Sequence, residues 1–493
     1  MIGCDDRKVY AWRPNGAAVP GWPVTLSDSV KSSPAVGDIT GDYHNEVVVG
    51  CRDGKLYAYD YHGAKLWEYS AGSPVNTTPV LADFDDDDKL EIVFSAGGDL
   101  CALEGDGRRF SGSWPYSAAE GGTFTSPAVG NVNGAGGLEI AVIAYGYTKP
   151  VRSYVYLLKT NGTLYSGSWP VTVDTVVVAD PVIGDVVTPS TDLEIVTGGI
   201  NGKVYLWKPT GAAWSAPRVP GSIETSPSLA NLESHDAFLE IVVTSRRYVG
   251  MLPPHWEDVV TAIDGSGAIM TGWPKIPGDW FSNAGAVPSA IILGSSCKIM
   301  QGIPDHNVYA LTTLTRAPYG FPIDAGGPVV SSAAVGNLDN DAWLELVVAG
   351  GDSVRCFELC SSSGYALGDL WWPMFRHDRA RTGCYGFVVP TDVAEPEGVA
   401  PEASCIRSIY PNPFNPITRI AFDLDAKARA ELAIYDVSGR RVAVLVDREL
   451  EAGRHEAFWN GRTAGGATAA SGIYFCTLKT GSVSETKKIV LLR

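Results

Sequence analysis

The feature that most constrains the fold is a repeat of roughly 45–60 residues, a period that is typical of stacked or radial repeat architectures. Each repeat has a short apolar strand, a Gly or Asp turn, a second strand such as Val9-Tyr10-Ala11-Trp12, and then an aromatic residue, usually followed by proline. The aromatic marks are Trp22-Pro23, Trp67, Trp114-Pro115, Trp169-Pro170, Trp214, Trp273-Pro274, Phe321-Pro322 and Trp372-Pro373. About four strands per repeat indicate β-propeller blades. The sequence therefore predicts an all-β chain whose propeller, residues 1–388, has seven or eight blades, with the eight marks favouring eight.

One repeat can be assigned strand by strand. Residues 32–38 form the predicted innermost strand, and residues 46–50, 55–60 and 65–68 form the next three. Proline at a strand start or edge removes no ladder hydrogen bond, and we expect the repeated aromatic residues to pack between neighbouring blades. Residues 1–27 match only the last three strands of a blade. We therefore expect either an incomplete N-terminus or a first blade that is closed by a strand after Cys384.

An acidic loop comes before the second strand in three of the repeats. Alternate residues of a tight loop can point at one centre, and Ca²⁺ takes about 6–8 oxygen ligands at roughly 2.3–2.6 Å. We predict calcium ligands at Asp38, Thr40, Asp42 and Glu46, at Asp83, Asp85, Asp87 and Glu91, and at Asn337, Asp339, Asp341 and Glu345. Weaker versions of the loop begin at Asn131, Asp185 and Asn231. A solvated acidic turn explains any single copy, whereas recurrence in phase with the strands favours metal sites.

Composition excludes several classes of partner. The formal net charge is −17 and the pI is about 4.9. Nucleic acids and anionic membranes need a positive face, so neither is expected to bind. No apolar run is long enough to span a bilayer. The first residues, Met1-Ile2-Gly3-Cys4-Asp5-Asp6, lack the basic start and apolar stretch of a signal peptide.

A different domain is predicted at the C-terminal end. Residues 389–404 are rich in Pro, Glu and Ala and are predicted to form a semi-extended linker. Beyond them, residues 405–493 contain short alternating strands separated by Gly turns, such as Ile420/Phe422/Leu424 and the segment Gly472–Leu478. This pattern over about 90 residues predicts an Ig-like β-sandwich.

Both domains resemble known families. The repeats with their acidic loops resemble FG-GAP/VCBS repeats of the integrin α-subunit type, and that resemblance implies Ca²⁺ in the blade loops. Segments such as Asp53-Gly54-Lys55-Leu56-Tyr57-Ala58-Tyr59 also resemble quinoprotein-type repeats. Glu at the ninth loop position, where the integrin repeats have Asp, is a departure from the family. The tail resembles the Ig-like domain of the flagellar hook-capping protein and the sorting domain of type IX secretion substrates. The matching residues are YPNPFNP at 410–416, Tyr435-Asp436-Val437-Ser438-Gly439-Arg440, Ala452-Gly453 with Trp459-Asn460-Gly461, and Ser471-Gly472-Ile473-Tyr474.

These resemblances imply an exported or cell-surface protein that uses its tail for secretion or attachment. None of the seven histidines has the spacing of a metal site or catalytic triad, so an enzyme is not expected. We interpret the propeller as a calcium-stabilised binding, adhesion or spacer module for a protein or glycan ligand. The alternatives are a calcium-dependent polysaccharide lyase, the non-catalytic part of a larger secreted hydrolase, and a redox propeller with a quinone.

Overall fold

The computed structural model describes the chain from residue 1 to residue 491 with internal gaps. The gaps are residues 43, 88, 135, 147–151, 188–191, 233–238, 251–254, 278–288, 294–295, 313–320, 339–343, 360–377, 379–380, 383–403, 411–417, 451–452, 464–468 and 482–483. The chain divides into two compact units, Met1–Val393 and Ala394–Arg493. Most of the expected linker and the expected closing strand after Cys384 lie outside the described residues. The domain boundaries therefore stay predictions.

The first unit is a succession of antiparallel sheets, which we number blades 1 to 4 in its first half. Blade 1 is β1 (Ile2–Gly3), β2 (Lys8–Tyr10) and β3 (Val24–Thr25), and blade 2 is β4 (Ala35–Gly37), β5 (Glu46–Gly50), β6 (Lys55–Tyr59) and β7 (Lys65–Ser70). Blade 3 is β8 (Val80–Ala82), β9 (Glu91–Ala96), β10 (Asp99–Leu103) and β11 (Tyr116–Ser117). Blade 4 is β12 (Thr123–Phe124), β13 (Ala128–Gly130), β14 (Glu139–Gly146), β15 (Arg152–Lys159) and β16 (Val171–Val173).

The second half of this unit continues the series. Blade 5 is β17 (Val182–Gly184), β18 (Glu194–Gly198), β19 (Lys203–Trp207) and β20 (Ala213–Arg218), and blade 6 is β21 (Ser222–Ile223), β22 (Ser228–Ala230), β23 (Glu240–Val249) and β24 (His255–Ile263). Blade 7 is β25 (Ser289–Leu293), β26 (Ser296–Gly302), β27 (Asn307–Leu311) and β28 (Ile323–Asp324), and blade 8 is β29 (Ala334–Gly336), β30 (Leu344–Gly350) and β31 (Ser353–Leu359). Eight sheets in the described residues are consistent with the eight blades that the aromatic marks favour.

The sheets are arranged as propeller blades, because short strands of neighbouring sheets, here called inner strands, lie side by side. Strand β4 lies against β8, β8 against β13 and β13 against β17, and the series continues from β22 to β25 and β29. The residues after blade 8 return to these inner strands. The Arg381 Nε donates to the Pro34 carbonyl at 3.1 Å, and the Val129 amide donates to the Thr382 carbonyl at 2.9 Å. Residues 381 and 382 therefore contact the chain next to β4 in blade 2 and strand β13 in blade 4.

Tryptophans join neighbouring blades, as the repeat predicts. In four blades an indole Nε1 donates to a backbone carbonyl in a turn of the next blade, at 2.8–3.2 Å. The pairs are Trp22 with Tyr61, Trp67 with Gly105, Trp114 with Thr160, and Trp169 with Pro209. The ring of Trp67 packs so closely on Gly107 that a Cβ there would lie 2.7 Å from the ring, and Gly107 also has a φ of +83°. Glycine is needed at that turn for both reasons.

Replacing Trp169 with Phe is expected to lower the stability of the propeller. The side chain is 2% exposed, and the substitution leaves the Pro209 carbonyl without its 2.9 Å donor. A lost buried hydrogen bond costs about 1–2 kcal/mol. The midpoint of urea unfolding measures the effect, with Trp12→Phe, at a side chain that is 39% exposed, as the control. Equal midpoints for the two variants would contradict this role for the indole.

The second unit is a sandwich of two antiparallel sheets. Its strands are β32 (Cys405–Tyr410), β33 (Thr418–Leu424), β34 (Ala428–Asp436), β35 (Arg441–Leu450), β36 (Gly453–Trp459), β37 (Gly472–Lys479) and β38 (Ser484–Leu491). One sheet has the order β32-β33-β36 and the other β35-β34-β37-β38. Phe422 and Trp459 from the first sheet share a buried core with Ile434 and Cys476 from the second. This unit therefore has a hydrophobic core of its own. The Ig-like type of the sandwich stays a prediction.

Candidate functional site

The loop between β4 and β5 gathers three carboxylates. Asp38 follows β4 directly, and its Oδ1 accepts from the Thr40 and Gly41 amides at 3.2 and 2.7 Å. Asp42 accepts from the His44 amide at 2.8 Å. Glu46 is the first residue of β5, is 2% exposed, and accepts from the Ile39 amide at 3.0 Å. These backbone hydrogen bonds fold the loop so that Asp38, Asp42 and Glu46 converge.

The loop between β8 and β9 repeats this construction. Glu91 begins β9, is 1% exposed, and accepts from the Phe84 amide at 2.6 Å. Asp83 Oδ1 accepts from the amides of Asp85 and Asp87 at 3.3 and 3.2 Å. In this loop Asp83, Asp85 and Glu91 converge. The structure therefore brings together six of the predicted ligands, as two groups of three carboxylates within the described residues.

The geometry of both groups fits a calcium ion. One ligand oxygen from each residue of a group lies within 4.8 Å of the others. Two oxygens on opposite sides of a Ca²⁺ ion are separated by about 5 Å, because each is bound at roughly 2.3–2.6 Å. Three carboxylates leave several coordination positions for loop carbonyls or water. Hard oxygen donors in this number match the chemistry of Ca²⁺.

Burial and the neighbouring carboxylates raise the pKa values of the two glutamates, which makes them weaker acids than an exposed glutamate. Burial raises the pKa of Glu46 to about 7, and the charges of Asp42 and Asp38 add to the rise. Burial likewise raises the pKa of Glu91 to about 8, with further contributions from Asp85, Asp83 and Asp87. A neighbouring cation would reverse this effect because it favours the charged form. A divalent cation in either loop would therefore offset the cost of burying the charged glutamate and the smaller repulsion from the aspartates.

Four predicted ligands need separate comment. Asp87 is not part of its group, because its carboxylate accepts from the Lys89 amide at 2.9 Å and lies 3.4 Å from the Lys89 Nζ. Thr40 contributes an amide that orders Asp38. Asp339 and Asp341 lie outside the described residues, so the third predicted site stays untested.

The glutamate at the start of the second strand closes the loop in several blades. In blades 2 to 6 and blade 8 it accepts a backbone amide of the preceding loop at 2.5–3.0 Å; the residues are Glu46, Glu91, Glu139, Glu194, Glu240 and Glu345. In blade 4 the loop carries amides instead of carboxylates, and Asn133 Nδ2 donates to Glu139 at 2.6 Å. The glutamate therefore has a structural role in each of these loops, whether or not the loop also carries aspartates. The two neighbouring aspartates distinguish the candidate metal loops.

Two family models match parts of the chain. Residues 8–100 match the lambda-carrageenase beta-propeller domain, and residues 408–492 match the secretion system C-terminal sorting domain. The chain combines a β-propeller with a C-terminal sorting domain. Such a tail marks a secreted, cell-surface-attached protein whose C-terminal domain interacts with secretion machinery. These matches do not confirm that the repeats are of the FG-GAP/VCBS type.

Similar solved structures share only low identity with the chain. BamB from Moraxella catarrhalis is 15% identical over 74% of this chain and 92% of its own, with a TM-score of 0.48. Quinohemoprotein alcohol dehydrogenase from Comamonas testosteroni is 12% identical over 69% and 67%, also at 0.48. The V. cholerae biofilm matrix protein Bap1 is 14% identical over 99% and 69%, at 0.42. No functional conclusion follows at these TM-scores.

No curated protein matches the chain. Across the described residues, no helix has the length and apolar character needed to cross a membrane.

Proposed function

We propose that this protein is an exported, non-enzymatic binding module in which a calcium-stabilised propeller is delivered to the cell surface by its C-terminal domain. The observation that carries the proposal is the pair of converging carboxylate groups in the propeller of a chain with a sorting tail. Adhesion or spacing at the surface would use the propeller face, and the tail would engage the secretion and attachment machinery. The FG-GAP/VCBS type of repeat belongs to this proposal.

Calcium has a structural role in this proposal. Asp38, Asp42 and Glu46 would hold one ion, and Asp83, Asp85 and Glu91 would hold another. Each ion would neutralise three carboxylates and fix the loop that joins the first and second strands of its blade. Both loops are in separate blades, so each ion would act locally on its own loop. Repetition of this kind suits a stabilising metal better than a catalytic one.

The placement of the titratable groups supports a binding role. The groups with strongly raised pKa values, such as Glu46 and Glu91, lie in loops of different blades. A general acid and base need to meet at one reacting bond. This distribution favours ligand binding over catalysis.

A polysaccharide is the favoured class of ligand, because residues 8–100 resemble the propeller of lambda-carrageenase. The same resemblance supports the second candidate, which is a role in a polysaccharide-degrading enzyme, either as a lyase-like propeller or as the non-catalytic part of a larger secreted hydrolase. Incubation of the full chain with λ-carrageenan and Ca²⁺, followed by an assay of new reducing ends and unsaturated products, separates the candidates. Product formation would overturn the non-enzymatic proposal.

The sorting role has its own test. Residues 394–493, which have their own core, are fused to the C-terminus of a signal-peptide-bearing reporter in a bacterium with a type IX system. The reporter is expected at the cell surface or in the medium, because the domain is the part that secretion machinery recognises. The control ends before Gly472, which removes β37 and β38 and with them half of the larger sheet. Equal surface exposure of both fusions would contradict the proposal.

A further inference from the structure

The hairpin of blade 6 is the longest hairpin among the described strands of the propeller. Strands β23 and β24 have 10 and 9 residues, compared with 5 each for β5 and β6 of blade 2 and 8 each for β14 and β15 of blade 4. The residues of β23 beyond Thr244 add about 16 Å at roughly 3.3 Å per residue. The short strand β21 pairs with Ser245 and Arg246 at the base of this extension.

An exposed aromatic pair occupies one face of this hairpin. Tyr248 and Trp256 are cross-strand partners, so both rings are on the same face. Their centroids are 5.4 Å apart in an edge-to-face arrangement, and the residues are 59% and 43% exposed. Two large rings left in water at the end of an extended hairpin are typical of a binding surface.

A charged pair lies on the same face, two residues closer to the sheet. Arg246 is the cross-strand partner of Asp258, with Nε 3.4 Å from Oδ1. The Asp258 side chain is 1% exposed and that of Arg246 is 21% exposed. No residue in the described chain pairs with Arg246 Nη2 or Asp258 Oδ2. Both of these atoms are buried, and the two side chains carry opposite charges, so the pair adds no net charge beside the aromatic rings.

The opposite face of the hairpin is held by ion pairs. Arg247 Nη2 lies 2.7 Å from Glu257, and the His255 Nε2 lies 3.2 Å from the same carboxylate. His255 is 5% exposed. These contacts lie on the face opposite to Tyr248 and Trp256, so they leave the aromatic face free of the charged side chains of these three residues.

We propose that this face of the blade 6 hairpin binds the sugar rings of a neutral polysaccharide. The apolar C–H face of a pyranose stacks on the exposed rings of Tyr248 and Trp256. The charges of Arg246 and Asp258 cancel, and the net charge of −17 opposes polyanions. The inference rests on the proposed binding function and adds its site and its ligand class.

The test uses the full chain with Ca²⁺ in affinity electrophoresis. The neutral probes are mixed-linkage β-glucan, dextran, galactomannan and xyloglucan, and the anionic probes are λ-carrageenan and alginate. At least one neutral polymer is expected to retard the protein, and Tyr248→Ala and Trp256→Ala are each expected to weaken that binding about tenfold. The control is Trp12→Ala, which removes a 39% exposed tryptophan from blade 1 and is expected to leave binding unchanged. Equal melting temperatures establish that the variants are folded.

Each other outcome overturns a defined part of the inference. Unchanged binding in the Tyr248→Ala/Trp256→Ala double variant overturns the site and leaves the binding function intact. Retardation by anionic polymers alone overturns the neutral ligand class. If no polymer retards the parent protein, the inference is wrong, and the proposed function is then judged by the calcium and sorting experiments, which do not involve this hairpin.

Discussion

Adding 1 mM Ca²⁺ to protein treated with a chelator is expected to raise the melting temperature of the propeller. With a Kd near 10⁻⁴ M, which is typical of extracellular modules, about 1 mM Ca²⁺ adds roughly 1.4 kcal/mol per site by mass action. Two sites therefore add about 3 kcal/mol. For a unit of this size, an unfolding entropy of roughly 2 cal/mol/K per residue converts that gain into about 4 °C. Differential scanning calorimetry with and without Ca²⁺ measures the shift.

Paired substitutions assign this effect to the two loops. Asp83→Asn with Asp85→Asn is expected to remove about half of the calcium shift by mass action, and Asp38→Asn with Asp42→Asn the other half. The matched control is Asp86→Asn with Asp87→Asn, which removes the same charge from the same loop but at side chains outside the converging group. An unchanged calcium response in the Asp83/Asp85 variant would show that the loop is only a solvated acidic turn, whereas a loss of response in the control would show that Asp86 or Asp87 takes part in calcium binding.

The strands could be predicted from the sequence because their signals are local. Residues 46–50, predicted as the second strand of blade 2, are β5. By contrast β12 and β21 were not predicted. Each has two residues and exists because it pairs with a distant strand, as Ser222 does with Arg246. Such pairing leaves no periodic pattern in the segment itself.

The candidate site could be predicted only in part. Three of the predicted ligands converge in each of two loops, and Asp87 is not in its loop's converging group; calcium binding by any of them stays a prediction. Asp86 has a φ of 62°, in the left-handed region, so the chain turns there and the Asp87 carboxylate faces the Lys89 amide. The structural role of the glutamates could have been predicted from the sequence. Glu139 persists at the start of β14 although its loop has no carboxylates.

The aromatic pair on the blade 6 hairpin was not predicted, because it is recognised by the length of the hairpin and the exposure of the two rings. Tyr248 and Trp256 are two of the chain's many aromatic residues, and their neighbours in the sequence do not distinguish them from core aromatics. Only the pairing register places both rings on one face, and only the extension beyond Thr244 leaves them in water. Tertiary structure decides which aromatic residues become buried.

Replacing Asp185 with Asn is expected to stabilise the propeller at pH 8. Asp185 follows β17, and its buried Oδ1 has no partner among the residues that the structure describes. Burial raises the pKa of Asp185 to about 7, and the charge of Glu194, which is 0% exposed, adds to the rise. The folded state therefore binds this proton more tightly than the unfolded state. That stability is fully present below about pH 4 and is lost as the pH rises to about 7.

Above pH 7 the folded protein carries a buried charge that asparagine lacks. A pKa rise of one unit corresponds to about 1.4 kcal/mol, and partial exposure of Asp185 reduces the effect, so we expect the variant to be more stable by roughly 2–4 kcal/mol at pH 8. The advantage should grow between about pH 4 and pH 7 and then level off. Urea unfolding with a chelator present at several pH values measures it, because the chelator removes any contribution from cations. The control Asp5→Asn, at a 67% exposed side chain paired with Lys31, should change stability by less than about 0.5 kcal/mol at every pH. An Asp185→Asn variant that is no more stable than the parent at pH 8, or whose advantage is the same at all pH values, would show that this carboxyl group is not held protonated by the fold.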